Sequence, residues 1–179
     1  MDVRDIFNDV SNTILKGMMV HEQLMNAYLF MELEGYAKCH EHHYIHETKN
    51  HIKVSKYLLD HYGCMIEQGR IEPPVEINPK WYGAHKSDLD PKSRFQSVMD
   101  LAYSWIHWEE TAFDSFNKAY KDLFNEGEFV AAEFIKEFSV ETAVELTWAR
   151  SEQLKLQAVN YDMVYIMDQQ PVLKKKFKG

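Results

Sequence analysis

Proline is confined almost entirely to one short stretch of this chain. Four of the five prolines, Pro73, Pro74, Pro79 and Pro91, fall within a single window. From Lys92 to Gln170 there is no proline, and Gly127 is the only glycine. Before Gly69 there is no proline either, and the only glycines are Gly17, Gly35 and Gly63. Proline removes a backbone donor and clashes with the preceding helical turn, so helices stop at it. A chain punctuated in this way folds into a few long helices around one non-helical segment.

Apolar residues recur at helical spacing on both sides of that segment. One stripe runs Phe7, Val10, Ile14, Met18, His21, Met25 and Tyr28. A second runs Tyr36, His40, Tyr44, Glu47, His51 (or Asn50), Val54 and Leu58. A third runs Phe95, Val98, Ala102, Trp105, Glu109, Ala112, Phe116, Tyr120 and Leu123, and a fourth Ala131, Phe134, Phe138, Glu141, Glu145 and Trp148. No period-2 pattern competes, so no sheet is expected. The breaks at Glu34-Gly35 and at Asn125-Glu126-Gly127-Glu128 turn these stripes into two helical hairpins. A crossover of about 23 residues joins them, and a loop of that length in a compact domain must span something, here the length of a bundle. The expectation is an all-α, antiparallel four-helix bundle with one long crossover. Helices are predicted over about 3–32, 35–66, 93–125 and 128–158, with the crossover at 70–92. A short fifth helix is predicted at 161–169, closing a domain of residues 1–170, and a basic tail follows at 171–179.

Composition narrows the classes of function. At 179 residues the chain suits one domain with a sizeable core. A net charge of −8 lacks the basic footprint of a nucleic-acid binder. Cys39 and Cys64 belong to no CxxC pair, so no secreted disulfide scaffold is expected. No apolar run is long enough for a membrane span, and the acidic start Met1-Asp2-Val3-Arg4-Asp5 leads into no signal-like segment. A cytoplasmic protein is expected. Lys174, Lys175, Lys176 and Lys178 read as a solvated terminus.

The chemistry lies in what interrupts the apolar stripes. Glu47, Glu109, Glu141 and Glu145 fall in register with Phe, Trp, Leu and Val. An unpaired buried carboxylate costs several kcal/mol even after relaxation (roughly), so something positive must compensate. The stripes offer almost no lysine or arginine; they offer His21, His51 and His107. Carboxylates and a few imidazoles converging from separate helices suit divalent iron or manganese. His43, Glu47 and His51 share one helix face at i, i+4, i+8, whereas His40, His42 and His46 are expected to point elsewhere, into solvent or a subunit contact.

With these residues in view, the sequence resembles the ferritins of the non-haem bacterial type. His107-Trp108-Glu109 is similar to the His-x-Glu around that family's third-helix ligand. Phe134 to Glu145 falls on its fourth-helix segment without a gap, with Glu145 at the iron-binding Glu and Glu141 at an accessory carboxylate. Gly69-Arg70-Ile71-Glu72, Ile77 and Pro79-Lys80-Trp81 resemble its crossover, and the segment around Tyr165 its fifth helix. Glu47 matches the bridging Glu, but Asn50 occupies the usual His, with His51 one residue away. Thr142 and Ile14 also stand at site positions, and Glu22 or His21 is left to supply the first helix's ligand.

The resemblance implies a di-iron protein that binds Fe(II), or manganese, and oxidises iron with dioxygen or peroxide as a ferroxidase. It also implies a homo-oligomer, a cage that stores the ferric product. Glu47 would bridge two ions about 3.5–4 Å apart, with Glu109, Glu145, His51 or Asn50, Glu22 or His21, and Glu141 around them. Two other readings stand beside it. One is a structural or interaction protein of the same fold with a degenerate site; the other is a di-iron or di-manganese oxidase acting on an organic substrate. Replacing Glu109 and Glu145 together by alanine is expected to abolish metal binding while leaving a folded helical bundle, measured by equilibrium dialysis and circular dichroism. Undiminished binding in the double variant would place the site elsewhere.

Overall fold

A computed structural model describes residues 2–67 and 89–177. It contains five helices: α1 (Val3–Phe30), α2 (Glu34–Tyr62), α3 (Pro91–Asn125), α4 (Phe129–Ala158) and α5 (Met163–Lys176). Most of the expected crossover, with its family-like Gly69 to Trp81 segment, lies outside the described residues. The starts are written locally. Asp2 accepts from the Arg4 N–H to cap α1, and Asp90 accepts from the Lys92 and Ser93 N–H groups to cap α3, with Pro91 in the first turn. The first hairpin turns where Glu32 adopts φ 62° and the Leu33 N–H reaches back to Tyr28 O at 2.9 Å. The second turns at Gly127, where the Glu128 N–H reaches Leu123 O at 3.0 Å, the same six-to-one closure.

Side-chain pairs give the helix register. Gly17 faces Glu47, and Phe7 stacks on Tyr57, so α1 and α2 are antiparallel. Thr13 meets Ser115 while His21 meets Glu109, which makes α1 and α3 antiparallel as well. Phe124 packs on Phe129 and Trp105 on Trp148 along the α3–α4 pair. Backbones approach closely between α1 and α2, α3 and α4, α1 and α3, and α2 and α5. The α2–α4 seam is bridged by long side chains: His43 to Glu145, Asn50 to Glu141, Lys53 to Glu137 and Tyr62 to Glu128. Aromatic side chains from α1, α2 and α4 stack at one end, with Tyr57 between Phe7 and Phe134. The polar centre lies between that stack and the Tyr28–Tyr36 pair at the other end. No helix among the described residues is long and apolar enough to cross a membrane.

The fifth helix is longer than the sequence leads one to expect. It continues through Pro171 to Lys176 and takes in most of what reads as a basic tail. Pro171 stands on an exposed position, while Ile166, Gln170 and Leu173 are buried, so the helix is held from its inner side. Gln170 explains the seating. The α2 start at Leu33 has no side-chain cap of its own, and Gln170 Oε1 accepts from the N–H groups of Gly35 (2.8 Å) and Tyr36 (3.3 Å). These are donors that a helix start leaves unpaired. Lys174 pairs with Glu34 beside them.

This contact requires glycine at position 35. A Cβ there would lie 2.6 Å from Gln170 O and 2.8 Å from its Cα, both backbone atoms that cannot swing away. Gly35→Ala is therefore expected to lift α5 from α2. We expect a loss of roughly 1–3 kcal/mol in thermal unfolding, with faster tryptic cleavage within α5. An unchanged melting temperature and cleavage rate would mean that α5 is not seated in this way.

Candidate metal centre

The centre is built on the inner face of α2. Tyr36, His40, His43, Glu47, Asn50, Val54 and Leu58 are all buried there, at spacings of three or four. The face departs from the expected stripe at one turn, with His43 inside instead of Tyr44, and of the two residues expected a turn beyond Glu47 it buries Asn50 and leaves His51 half-buried. Opposite it stand His21 on α1, Glu109 on α3, and Thr142 with Glu145 on α4.

Gly17 makes room for the first carboxylate. A Cβ at Gly17 would lie 3.3 Å from both Glu47 Oε1 and Trp108 Cζ2. The missing side chain therefore lets α1 close over Glu47, which is 9% exposed. Burial, reinforced by the Glu145 charge, pushes the Glu47 pKa up to about 8. Glu109 is deeper still, at 1% exposed. Its Oε1 accepts from Trp105 Nε1–H at 2.8 Å and lies 3.6 Å from His21 Nε2. Burial and the Glu145 charge raise its pKa well above the carboxylate range. Without a cation, both carboxyls are held protonated.

The two innermost imidazoles do not supply that cation. Burial, with His43 nearby, lowers the His21 pKa to about 3, and burial also holds His40 well below its ordinary value. Both rings are neutral, and their Nδ1 atoms share a hydrogen bond of 3.1 Å. When His40 Nδ1–H donates to His21 Nδ1, the Nε2–H of His21 faces Glu109, so that chain of groups is internally consistent. His43 stacks on His21 with ring centroids 5.0 Å apart, and its Nδ1 lies 3.1 Å from Glu145 Oε1. Burial alone would raise the Glu145 carboxyl, but hydrogen bonds from His43 and His46 hold it below its ordinary value.

The remaining expected site residues fall in different places. Glu22 is exposed on the outer side of α1, because its neighbour His21 takes the inward position; one residue is a rotation of 100°. His51 is half-buried, and its pKa is lowered by burial. Glu141 stands at the edge, its side chain 41% exposed, 3.5 Å from Asn50 Nδ2 and 3.9 Å from His46 Nε2. Ile14 is fully buried among apolar neighbours, and Thr142 is buried at 5%. His107 is exposed, not on the inner stripe of α3, whereas His40 is fully buried, not turned outward. His40 and His43 lie seven and four residues before Glu47, a spacing that identifies them once Glu47 is taken as the reference.

Among the described residues, no three His, Cys, Asp or Glu side chains are gathered as a finished metal cage. The centre instead holds buried donor atoms without a hydrogen-bond partner: Nε2 of His21, His40 and His43, and Oε2 of Glu47. Buried polar atoms are normally satisfied. A mixed imidazole and carboxylate set with open lone pairs has the chemistry to take a divalent first-row ion.

Glu47 sets a pH dependence. Its carboxyl titrates at its ordinary 4.5 when unfolded and at about 8 when folded. Between those values the folded state binds more protons than the unfolded state, so stability falls as pH rises through that window. Chelator-treated protein is expected to lose on the order of 3–5 kcal/mol between pH 4.5 and 8 from this group, measured by urea unfolding. Glu47→Gln should flatten the curve. Parallel curves for the two proteins would show that the carboxyl is not held protonated.

No family model and no curated protein matches the chain. Solved structures do. An engineered closed form of the Archaeoglobus fulgidus ferritin aligns at TM-score 0.79 and 12% identity, covering 96% of this chain and 93% of that one. The open-pore ferritin of the same archaeon aligns at 0.78 and 13%, covering 96% and 94%. An iron-soaked variant of PmFTN aligns at 0.72 and 16%, covering 96% and 99%. The chain has the ferritin-like four-helix-bundle fold with a fifth C-terminal helix.

Proposed function

We propose that this protein takes Fe(II) as substrate at the centre built on Glu47, Glu109 and Glu145, and oxidises it with dioxygen or peroxide within a homo-oligomer. The observation that carries this reading is the pair Glu47 and Glu109, buried at 9% and 1% with no lysine or arginine paired to them among the described residues. Two carboxyls inside one bundle destabilise it unless protons or a cation neutralise them. A divalent ion does this for both, and its arrival displaces protons that the folded chain otherwise retains. His43 adds a nitrogen donor through its unpartnered Nε2, His21 bridges His40 and Glu109, and the Trp105 indole N–H keeps Glu109 in place. The net charge of −8 draws cations towards the surface. The half-exposed His46 and Glu141 sit where the α2–α4 seam opens to solvent. Storage in a cage is part of the proposal through the shared fold of the ferritin structures above.

A second reading has its own observation. Ile14, Asn50 and Thr142 stand where the resemblance expects ligands, as a decayed site in an interaction protein would have them. Aerobic addition of excess Fe(II), followed by gel filtration and iron analysis, separates the two. Many irons per chain eluting with a large assembly is the result expected for a storage protein. About two per chain would fit a di-iron protein without a mineral cavity. None retained would favour the decayed site.

A further inference from the structure

His43 and Glu47 stand one turn apart on the inner face of α2, 6% and 9% exposed. Each carries an outer atom with no partner, Nε2 of His43 and Oε2 of Glu47. Glu145 is in the opposite condition. Its Oε1 lies 3.1 Å from His43 Nδ1 and 3.7 Å from His46 Nδ1, so it is already engaged by two rings. A carboxylate can only accept, so the His43 Nδ1 carries the proton and the lone pair falls on Nε2. A carboxylate in that place behind an imidazole fixes the tautomer, orients the ring and makes the free nitrogen a better ligand. The ring is also held on its faces, by His21 at 5.0 Å and Trp148 at 5.9 Å between centroids.

We propose that His43, through Nε2, is a metal ligand paired with Glu47 on α2, and that Glu145 is a positioning residue behind His43 and not itself a ligand. The proposal rests on the reading of the centre as metal-binding and goes beyond it in the donor set. An α2 pair of one imidazole nitrogen and one carboxylate oxygen selects ions that accept nitrogen, such as Fe(II), Co(II) and Zn(II), over the oxygen-preferring Mg(II) and Ca(II). It also makes Glu145, expected from the sequence as a ligand, a support for one.

The test is Co(II) titration of the chelator-treated full chain, followed by visible absorption, with wild type, His43→Gln and Glu145→Gln compared and helicity checked for each. His43→Gln is expected to weaken binding on the order of 100-fold or more and to change the band shape. Glu145→Gln keeps an oxygen acceptor for His43, so it should weaken binding by roughly 10–100-fold with the band shape unchanged. Pulsed EPR of Cu(II) bound to the wild type gives a readout that does not depend on a variant folding, and imidazole nitrogen coupling is expected. Unchanged binding in His43→Gln, or a greater loss in Glu145→Gln than in His43→Gln, would overturn the assignment while leaving a metal centre in place. Absent nitrogen coupling would do the same. Wild type that binds neither Co(II) nor Fe(II) would overturn the metal centre together with this assignment.

Discussion

A carboxylate removed from water must be neutralised by a proton or by a cation, and this bundle buries both Glu47 and Glu109. The surrounding groups answer to that constraint. Gly17 omits a side chain so that α1 can close over Glu47, and the Trp105 indole donates to Glu109. His21 and His40 stay neutral, because burial makes their protonation too costly to serve as the compensating charge. In the absence of a metal the carboxyls keep their protons, and the folded state carries a centre that is stable in acid and costly at neutral pH. Such a cost is retained where a cation removes it.

The architecture was largely legible because its signals are strong and local. Proline clustering and the glycines at 35 and 127 point to two hairpins, although the first turn falls at Glu32 with Gly35 just inside α2, and every long stripe becomes a helix within a few residues of its expected ends. The centre was harder to read because one residue is 100° of rotation. Tyr44 and His51 look as suitable as His43 and Asn50 until the helix is packed against α1, and Glu22 looks as suitable as His21 beside it. His40, His42 and His46 are expected to point outward, yet His40 is fully buried and hydrogen-bonded to His21. Packing decides such cases through the particular neighbours a side chain meets, and spacing alone does not contain them.

The fifth helix shows the same limit differently. Pro171 reads as a stop, but a proline on an exposed face costs the helix one hydrogen bond and a kink, and contacts on the other face hold it. Gln170 completes the start of α2, and seven residues later Phe177 reaches the ring of His42 at 5.6 Å and that of Trp148 at 5.2 Å. Lys176 lies over the Trp148 ring, 4.3 Å from its centroid. The helix therefore ties the start of α2 to the α2–α4 seam beside His43 and Glu145. The contacts of Gln170 and Phe177 with α2 join residues more than a hundred positions apart, which no local pattern reveals.

The central claim is that the buried carboxylates exist to hold a cation inside the bundle. Anomalous diffraction at the iron edge, from crystals soaked anaerobically with Fe(II), tests it most directly. The account predicts an iron peak between α1, α2 and α3 within bonding distance of the Glu47 and Glu109 carboxylates. Iron found only outside the bundle, at Glu141 and His46 or on other surface carboxylates, with Glu47 and Glu109 unmoved, would contradict it.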